Sequence, residues 1–477
     1  MSVSISELIA ALPDESVESD SPPETTLQAP TSRMSFEPIP IGRFRRFAAL
    51  GSLQAKIAAA YLFYWLRGWF QSADAQQQLL AETHWRIALR LLDSMSYLRG
   101  AVMKIGQTLA NFPDIAPREV VETLEQLHYD VPPMHWSLLR EMVHNELGDD
   151  PENIFAEFDK RAFAAASLGQ VHRARLKTGE EVAVKIQYPG IGRAVREDFR
   201  NLGTFLLPAR LSKDWEVTKD QYEDLRTRLE QETDYELEAS NLQKVRPLFH
   251  EDDGILVPRV YTSFSTSRVL TMERLDGVHL DAYLSRNPTQ AERNEFGRKL
   301  CRAWHRMMYS GRLLYLDCHP GNFLFLDDGR LGVIDFGNVA QIPDDLWAVY
   351  HKIDRAIVTG HRDDRLEVVK NWGVVDDPSE ADRLRVACEM VDWNLRPLCC
   401  GGEFDYADEA LFRRGVDLVA EGTRKRYTRG RSISPWVIRQ QFGFYSLLYR
   451  LKAKFDVRSI AEEEVKATGW DRSEYAT

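Results

Sequence analysis

Cysteine is scarce in this chain. Five residues in 477 (Cys301, Cys318, Cys388, Cys399 and Cys400) are too few and too irregularly spaced for a disulfide framework or a zinc site, so reduced thiols in an intracellular protein are expected. Cations are outnumbered: 61 Lys plus Arg against 72 Asp plus Glu leave a net charge of −11. That argues against a general nucleic-acid binder, because phosphate affinity comes from clustered cations. Long hydrophobic runs are missing too. The longest, Ile57–Leu66, has about half of the ~20 residues that a membrane-spanning helix needs. No Gly-Lys-Ser/Thr phosphate loop occurs, and Gly190-Ile191-Gly192 lacks the third glycine of a dinucleotide fingerprint. What remains is an ordinary globular composition with 44% hydrophobic residues, enough for a large core spread over about two or three domains.

The charge is unevenly distributed. Residues 1–40 hold seven acids, one base and six of the 21 prolines, a composition that cannot bury enough apolar surface to fold and reads as a disordered acidic tail. A transit peptide is acid-poor and Arg-rich, and a secretory signal needs a basic start and an apolar run; Met1–Leu12 fits neither. Residues 41–70 reverse the sign, with Arg43, Arg45, Arg46, Lys56 and Arg67 and no acid. Two readings stand for this segment. As a basic, aromatic-rich helix (Tyr61, Phe63, Tyr64, Trp65, Trp69, Phe70) it would lie at an anionic membrane surface; as a helix apolar on every side it would be buried in the core.

From Ala81 to about Leu147 the pattern is helical, with Ile87, Leu91, Leu92, Met95, Leu98, Val102 and Ile105 recurring every three or four residues. The texture changes between Phe158 and Ile186, where short strand-like runs (Phe163, Val171–Leu176, Val182–Ile186) are separated by turn signals such as Thr178-Gly179. A helix is expected over Lys219–Phe249, a strand pair at Ile255–Phe264 and Arg268–Met272, and mostly helices after Pro288. A small sheet followed by a large helical part is the order of a bilobal α+β protein. The expected parts are a tail at 1–40, an N-terminal helical extension at 41–155, a small β-rich N-lobe at 156–275 and a large helical C-lobe at 276–477, the two lobes together resembling a protein kinase.

The chemical signal begins at Val182-Ala183-Val184-Lys185, a strand ending in a lysine, which in protein kinases meets the α- and β-phosphates of ATP. Asp317-Cys318-His319-Pro320-Gly321-Asn322 then sets an Asp and an Asn at the separation of a kinase catalytic loop, where Asp receives the hydroxyl proton and Asn holds magnesium. After the apolar strand Leu331–Ile334 comes Asp335-Phe336-Gly337, whose Asp would ligate magnesium. Singly each could be a solvated strand lysine, a turn and a strand end; their order and spacing together make chance a poor explanation. Where a kinase has its glycine-rich loop, this chain has Ala164-Ala165-Ala166-Ser167-Leu168-Gly169. Alanine keeps a Cβ and disfavours positive φ, so the phosphates should be held differently. The hinge between lobes reads as Met272-Glu273-Arg274-Leu275, whose backbone would bind adenine with Met272 at the back of the pocket. No Ala-Pro-Glu follows Asn338 before Ile342-Pro343, so a long activation segment and a peptide platform are not expected. Cys318 reads as a packed thiol, and His172 and His319 as strand and loop structure.

The Ala-rich loop, Lys185, Glu232-Thr233-Asp234, Asp317–Asn322, Asp335-Phe336-Gly337 and the upstream Lys104-Ile105-Gly106-Gln107 together resemble the AarF/UbiB family of atypical kinase-like ATPases, over about residues 40–460. Gly42-Arg43, Lys185–Gly190 and Leu451–Phe455 are most similar to its coenzyme Q biosynthesis branch. The resemblance implies that Lys185 meets Glu238 in an ion pair that positions ATP, and that Glu232 meets Lys104, whose helix, with Gln107 on the same face, covers the cleft in a regulatory role. It implies ATP and Mg2+ as ligands and a lipid or quinone precursor and quinone-biosynthesis enzymes as partners; a membrane surface is a further expected partner through residues 41–70, for a cytoplasmic protein peripheral at the inner membrane face. One departure is Cys318, where the family commonly has proline. Two functions follow as expectations: an ATPase or small-molecule kinase, or a nucleotide-gated scaffold that binds lipids or pathway enzymes without turnover.

Overall fold

The computed structural model describes residues 136–166, 168–193, 195–196, 215–359, 369, 380–425, 427 and 434–470. The expectations for the tail at 1–40, the segment 41–70, the helical pattern up to residue 135 with Lys104 and Gln107, and Ser167 lie outside these residues.

Helix α1 (Trp136–Leu147) precedes a five-stranded antiparallel sheet made of β1 (Glu157–Phe158), β2 (Ala164–Ala166), β3 (Gly169–Arg175), β4 (Glu181–Gln187) and, later in the chain, β6 (Val269–Glu273). The order is β1-β3-β4-β6, and β2 continues along the β1 edge of β3. Strand alternation explains how a catalytic-type lysine sits in so apolar a strand. Successive side chains point to opposite faces, so Val182, Val184 and Ile186 pack with Leu139, Val143 and Phe155 under α1. Ala183, Lys185 and Gln187 therefore face the other side, where Ala183 joins Val171, Tyr235 and Met272 in the large cluster. Both faces of β4 are thus covered, and Lys185 is 6% exposed.

One long helix over Lys219–Phe249 is not what forms. Two helices stand there, α2 (Trp215–Glu232) and α3 (Tyr235–Val245), and the break falls on Thr233-Asp234. Asp234 has extended backbone angles and its carboxylate accepts from the Glu236 N–H, so it caps the new helix. The expected strand pair also differs. β5 (Ile255–Leu256) runs parallel to a C-lobe strand, and towards β6 only a bridge at Val260–Met272 forms.

Beyond the hinge, α4 (Gln290–Tyr309) starts at a reciprocal cap between Thr289 and Glu292. Four short strands follow: β7 (Leu313–Tyr315), β8 (Phe323–Phe325), β9 (Leu331–Val333) and β10 (Val339–Gln341). β7 pairs with β10 and β8 with β9, all antiparallel. The described residues that follow are mostly helical: α5 (Asp344–Thr359), α6 (Ala381–Cys399), α7 (Glu409–Arg424), α8 (Ser434–Leu451) and α9 (Val457–Ala467), with the small pair β11 (Phe404–Asp405) and β12 (Lys454–Phe455). Arg306 of α4 ties the C-terminal helix to the β5 loop, binding Glu464 at 2.8 Å and also Asp253. The chain therefore has the bilobal, kinase-like α+β architecture, with no long segment between Gly337 and α5. Among the described residues no helix is long and apolar enough to cross a membrane.

Candidate active site

Lys185 joins the sheet to α3 and to the Asp335-Phe336-Gly337 turn. Its ammonium donates to both oxygens of Glu238, at 2.7 and 2.9 Å, and to Oδ2 of Asp335 at 3.1 Å. The partners come from β4, α3 and the segment after β9, so the Asp335-Phe336-Gly337 turn and α3 are both drawn onto the sheet. Burial opposes the charge on Lys185, but the carboxylates of Asp335 and Glu238 outweigh it and hold the ammonium well above its usual range. Burial raises the Glu238 carboxyl to about 7, against the pull of Lys185. The bidentate contact, with both side chains under a tenth exposed, is the geometry of a charged pair.

The catalytic-type loop follows β7. Asn322 donates through Nδ2 to the Asp317 carbonyl at 2.9 Å, and its own carbonyl accepts from the Ile334 N–H at 3.0 Å. The first bond fixes the amide group; the second joins the loop to the residue before Asp335. Asp335 is half-buried, with Oδ1 accepting from the Gly337 N–H at 3.0 Å. A carboxylate and an amide oxygen are hard donors of the type magnesium prefers, so this pair fits that ion. Cys318 is buried against Gly443 of α8: a Cβ at Gly443 would come within 3.2 Å of the Cys318 Cβ. Helix packing thus steadies the loop at Cys318.

Two residues that the sequence motifs did not single out, Asn241 and Tyr315, hold the Asp335-Phe336-Gly337 turn together with Glu238. Asn241 of α3 donates to the Phe336 carbonyl at 2.9 Å, Tyr315 donates its hydroxyl to the Asp335 carbonyl at 2.9 Å, and Glu238 receives the Phe336 N–H at 3.5 Å. Gln187, two residues past Lys185, donates to the carbonyls of Thr233 and Ser267 at 2.8 and 3.3 Å, which ties β4 to the break between α2 and α3. Glu232 ends α2 beside this break.

The Ala-rich stretch is a strand and not an open loop. Ala164, Ala165 and Ala166 pair with Val171, Gln170 and Gly169. The tip beyond it is anchored: Leu168 is 1% exposed, packs in a cluster with Ile191, Val195, Leu225 and Leu229, and its carbonyl accepts from the Tyr188 N–H at 3.0 Å. Gly169 is required by close approach, because a Cβ there would sit 2.1 Å from the Ile186 carbonyl oxygen. At the hinge, Met272 is buried opposite Ala183. The Glu273 N–H is taken by the Arg259 carbonyl and the Arg274 N–H by that of Glu181, whereas the Leu275 N–H makes no backbone hydrogen bond among the described residues. His172 is fully buried on β3, with Nδ1 donating to the Asp159 carbonyl and Nε2 accepting from Gln170, a structural arrangement. His319 accepts from the Gly321 N–H within the loop.

Residues 126–369 match the ABC1 atypical kinase-like domain. The chain is 36% identical over 262 residues to Protein ACTIVITY OF BC1 COMPLEX KINASE 1, chloroplastic, of Arabidopsis thaliana, covering 54% of this chain and 38% of that protein. It is 30% identical over 316 residues to AarF domain-containing kinase 1 of Drosophila melanogaster (63% and 60%) and 28% identical over 390 residues to Atypical kinase COQ8B, mitochondrial, of Danio rerio (80% and 61%). The alignments thus span between 38% and 61% of these curated relatives' lengths. Among solved structures, that of the Rv3197–erythromycin complex from Mycobacterium tuberculosis is similar, with a TM-score of 0.54 and 27% identity over 82% of this chain and 98% of that one. This chain belongs to the ABC1 family of atypical kinase-like proteins, the AarF/UbiB group that its motifs resemble.

Proposed function

We propose that this protein is a magnesium-dependent ATP-binding enzyme that hydrolyses ATP or phosphorylates a small or lipid-like molecule, in support of quinone biosynthesis. The observation that carries the proposal is the buried Lys185 ammonium held between Glu238 and Asp335. In this reading Lys185 meets the α- and β-phosphates, and Glu238 keeps it aimed. Asp335 and Asn322 hold magnesium, which supplies charge neutralisation of the phosphates. Asp317 orients the attacking hydroxyl or water and accepts its proton. The Glu273 carbonyl and the Leu275 N–H meet adenine, with Met272 behind it, and the backbone of Ala164, Ala165, Ala166 and Ser167 covers the phosphates. Positioning and charge do most of the work in phosphoryl transfer, so the absence of an imidazole from this set is no obstacle.

The quinone link rests on the resemblance of sequence motifs, as do the lipid or quinone precursor and the pathway enzymes proposed as partners. The membrane role of residues 41–70 and the covering role of Lys104 and Gln107 over Glu232 are proposed from sequence alone. The test measures ATP turnover by the purified protein with and without anionic liposomes and a quinone-like phenol, beside Asp335→Asn. Loss of magnesium-dependent nucleotide binding and turnover in the variant is expected; unchanged activity would sink the reading. A second reading, a nucleotide-gated scaffold, is favoured by the anchoring of the Ala-rich hairpin through Leu168. ATP hydrolysis that requires Asp317 counts against it.

A further inference from the structure

Tyr235 begins α3, three residues before Glu238, and is 3% exposed. The Lys185 Nζ lies 5.4 Å from the centroid of its ring, within the range at which an aromatic face attracts a cation. The ring is fixed from its backbone: the Tyr235 N–H donates to the Ser267 carbonyl at 3.0 Å, and that same carbonyl receives Gln187 from β4. Strand and ring are therefore registered to each other by a contact two residues from the lysine. Burial first, and then the neighbouring Glu238 and Asp335 carboxylates, against the pull of Lys185, raise the phenol far above its usual range, so the ring stays neutral.

Lys185 has three anionic or π partners here: Glu238, Asp335 and the Tyr235 face. The function proposed above takes Asp335 away to magnesium, and the inference rests on that reading. Phosphate replaces that carboxylate at 3.1 Å, so the ammonium has to be held in place by neighbours that stabilise it and do not compete with phosphate for it. A ring face meets both conditions, because its negative quadrupole cannot bind magnesium as a carboxylate does and does not titrate in the working pH range. We propose that Tyr235 is a positioning residue that holds the Lys185 ammonium at the phosphate end of the nucleotide site through its ring face.

The experiment measures the affinity of the full chain for ATP, with magnesium, and for adenosine by titration calorimetry. The proteins are the wild type, Tyr235→Phe, Tyr235→Leu and variants carrying phenylalanine with one, two or three ring fluorines at this position. Fluorination drains the ring face while nearly keeping its shape, so these variants test the proposal even if the leucine protein fails to fold. Tyr235→Phe should bind ATP within about two-fold of wild type, and Tyr235→Leu about 2-fold to 30-fold more weakly. ATP affinity should fall stepwise with fluorination while adenosine affinity stays constant. Equal ATP affinity across the fluorinated series, or equal losses for ATP and adenosine, overturns the proposal. Absence of ATP binding by the wild type instead overturns the functional reading on which it rests.

Discussion

Replacing Lys185 by methionine strands Glu238, which is 3% exposed, beside Asp335 with no cation between them. Removing one partner of a buried ion pair costs about 3–5 kcal/mol, since the other charge stays desolvated. Glu238→Gln is milder. Lys185 keeps Asp335 at 3.1 Å and the ring of Tyr235 at 5.4 Å, and the amide retains one acceptor oxygen, so about 1–3 kcal/mol is expected. In the double variant no charge at position 238 is stranded, and its cost should fall short of the summed single costs by about 2–3 kcal/mol. The four proteins are compared by urea unfolding, followed through tryptophan fluorescence, at pH 8. Burial raises the Glu238 carboxyl against the pull of Lys185, and loss of the lysine raises it further, so the comparison starts at the alkaline end. At pH 5.5 the stranded carboxyl takes up a proton, and the Lys185→Met penalty should shrink. The surface pair Arg413–Glu409, with both side chains more than half exposed, serves as control and should show coupling of about 0.5 kcal/mol or less. Additivity within about 0.5 kcal/mol at Lys185 and Glu238 would refute the argument that the pair is a desolvated charge couple.

Asn241→Leu leaves the buried Phe336 carbonyl without its donor at 2.9 Å; a loss of about 1–3 kcal/mol in unfolding free energy is expected, with faster amide exchange at residues 335–337, and unchanged exchange there would contradict the clamp. Gly169→Ala pushes a Cβ to 2.1 Å from the Ile186 carbonyl oxygen, so the β3–β4 register must open beside Lys185; a variant with wild-type melting temperature and nucleotide affinity would show the strands separable. His172 and His305 are both buried and held below the usual histidine pKa by burial. Each therefore binds a proton more readily when unfolded, and the sign follows: the histidines' contribution to stability is flat above about pH 6.5 and falls as pH drops below it, by up to about 1.4 kcal/mol per pH unit for each histidine. A His305→Gln protein whose acid limb keeps the full wild-type slope would remove His305 from this explanation.

Much of the site was readable before any coordinates. The spacing of Asp317 and Asn322 brings them together because five residues around Pro320 can only turn tightly, and Nδ2 of Asn322 then reaches the carbonyl of Asp317. The Val182–Lys185 run read correctly as a strand carrying the lysine, but which of its faces meets α1 appeared only in the packing. The break at Thr233-Asp234 was also written in the chain, as a helix cap that the longer apolar periodicity masked. The anchoring of the Ala-rich hairpin was not. Leu168 looks like any loop leucine, and only the apposition of Ile191, Leu225 and Leu229 gives it a socket.

By itself, then, the sequence determined the local quantities: which residues can ligate, donate or cap, which strand residues are apolar, and the order and spacing of a kinase-like set of side chains. Tertiary structure decided the pairings. Lys185 meets Glu238 across 53 positions and Asp335 across 150, and Asn241 reaches Phe336 across 95. At such separations nothing in local propensity selects a partner. What selects it is the high cost of leaving a buried charge or carbonyl unpaired, which is settled only when β4, α3 and the segment after β9 close on one another and exclude water.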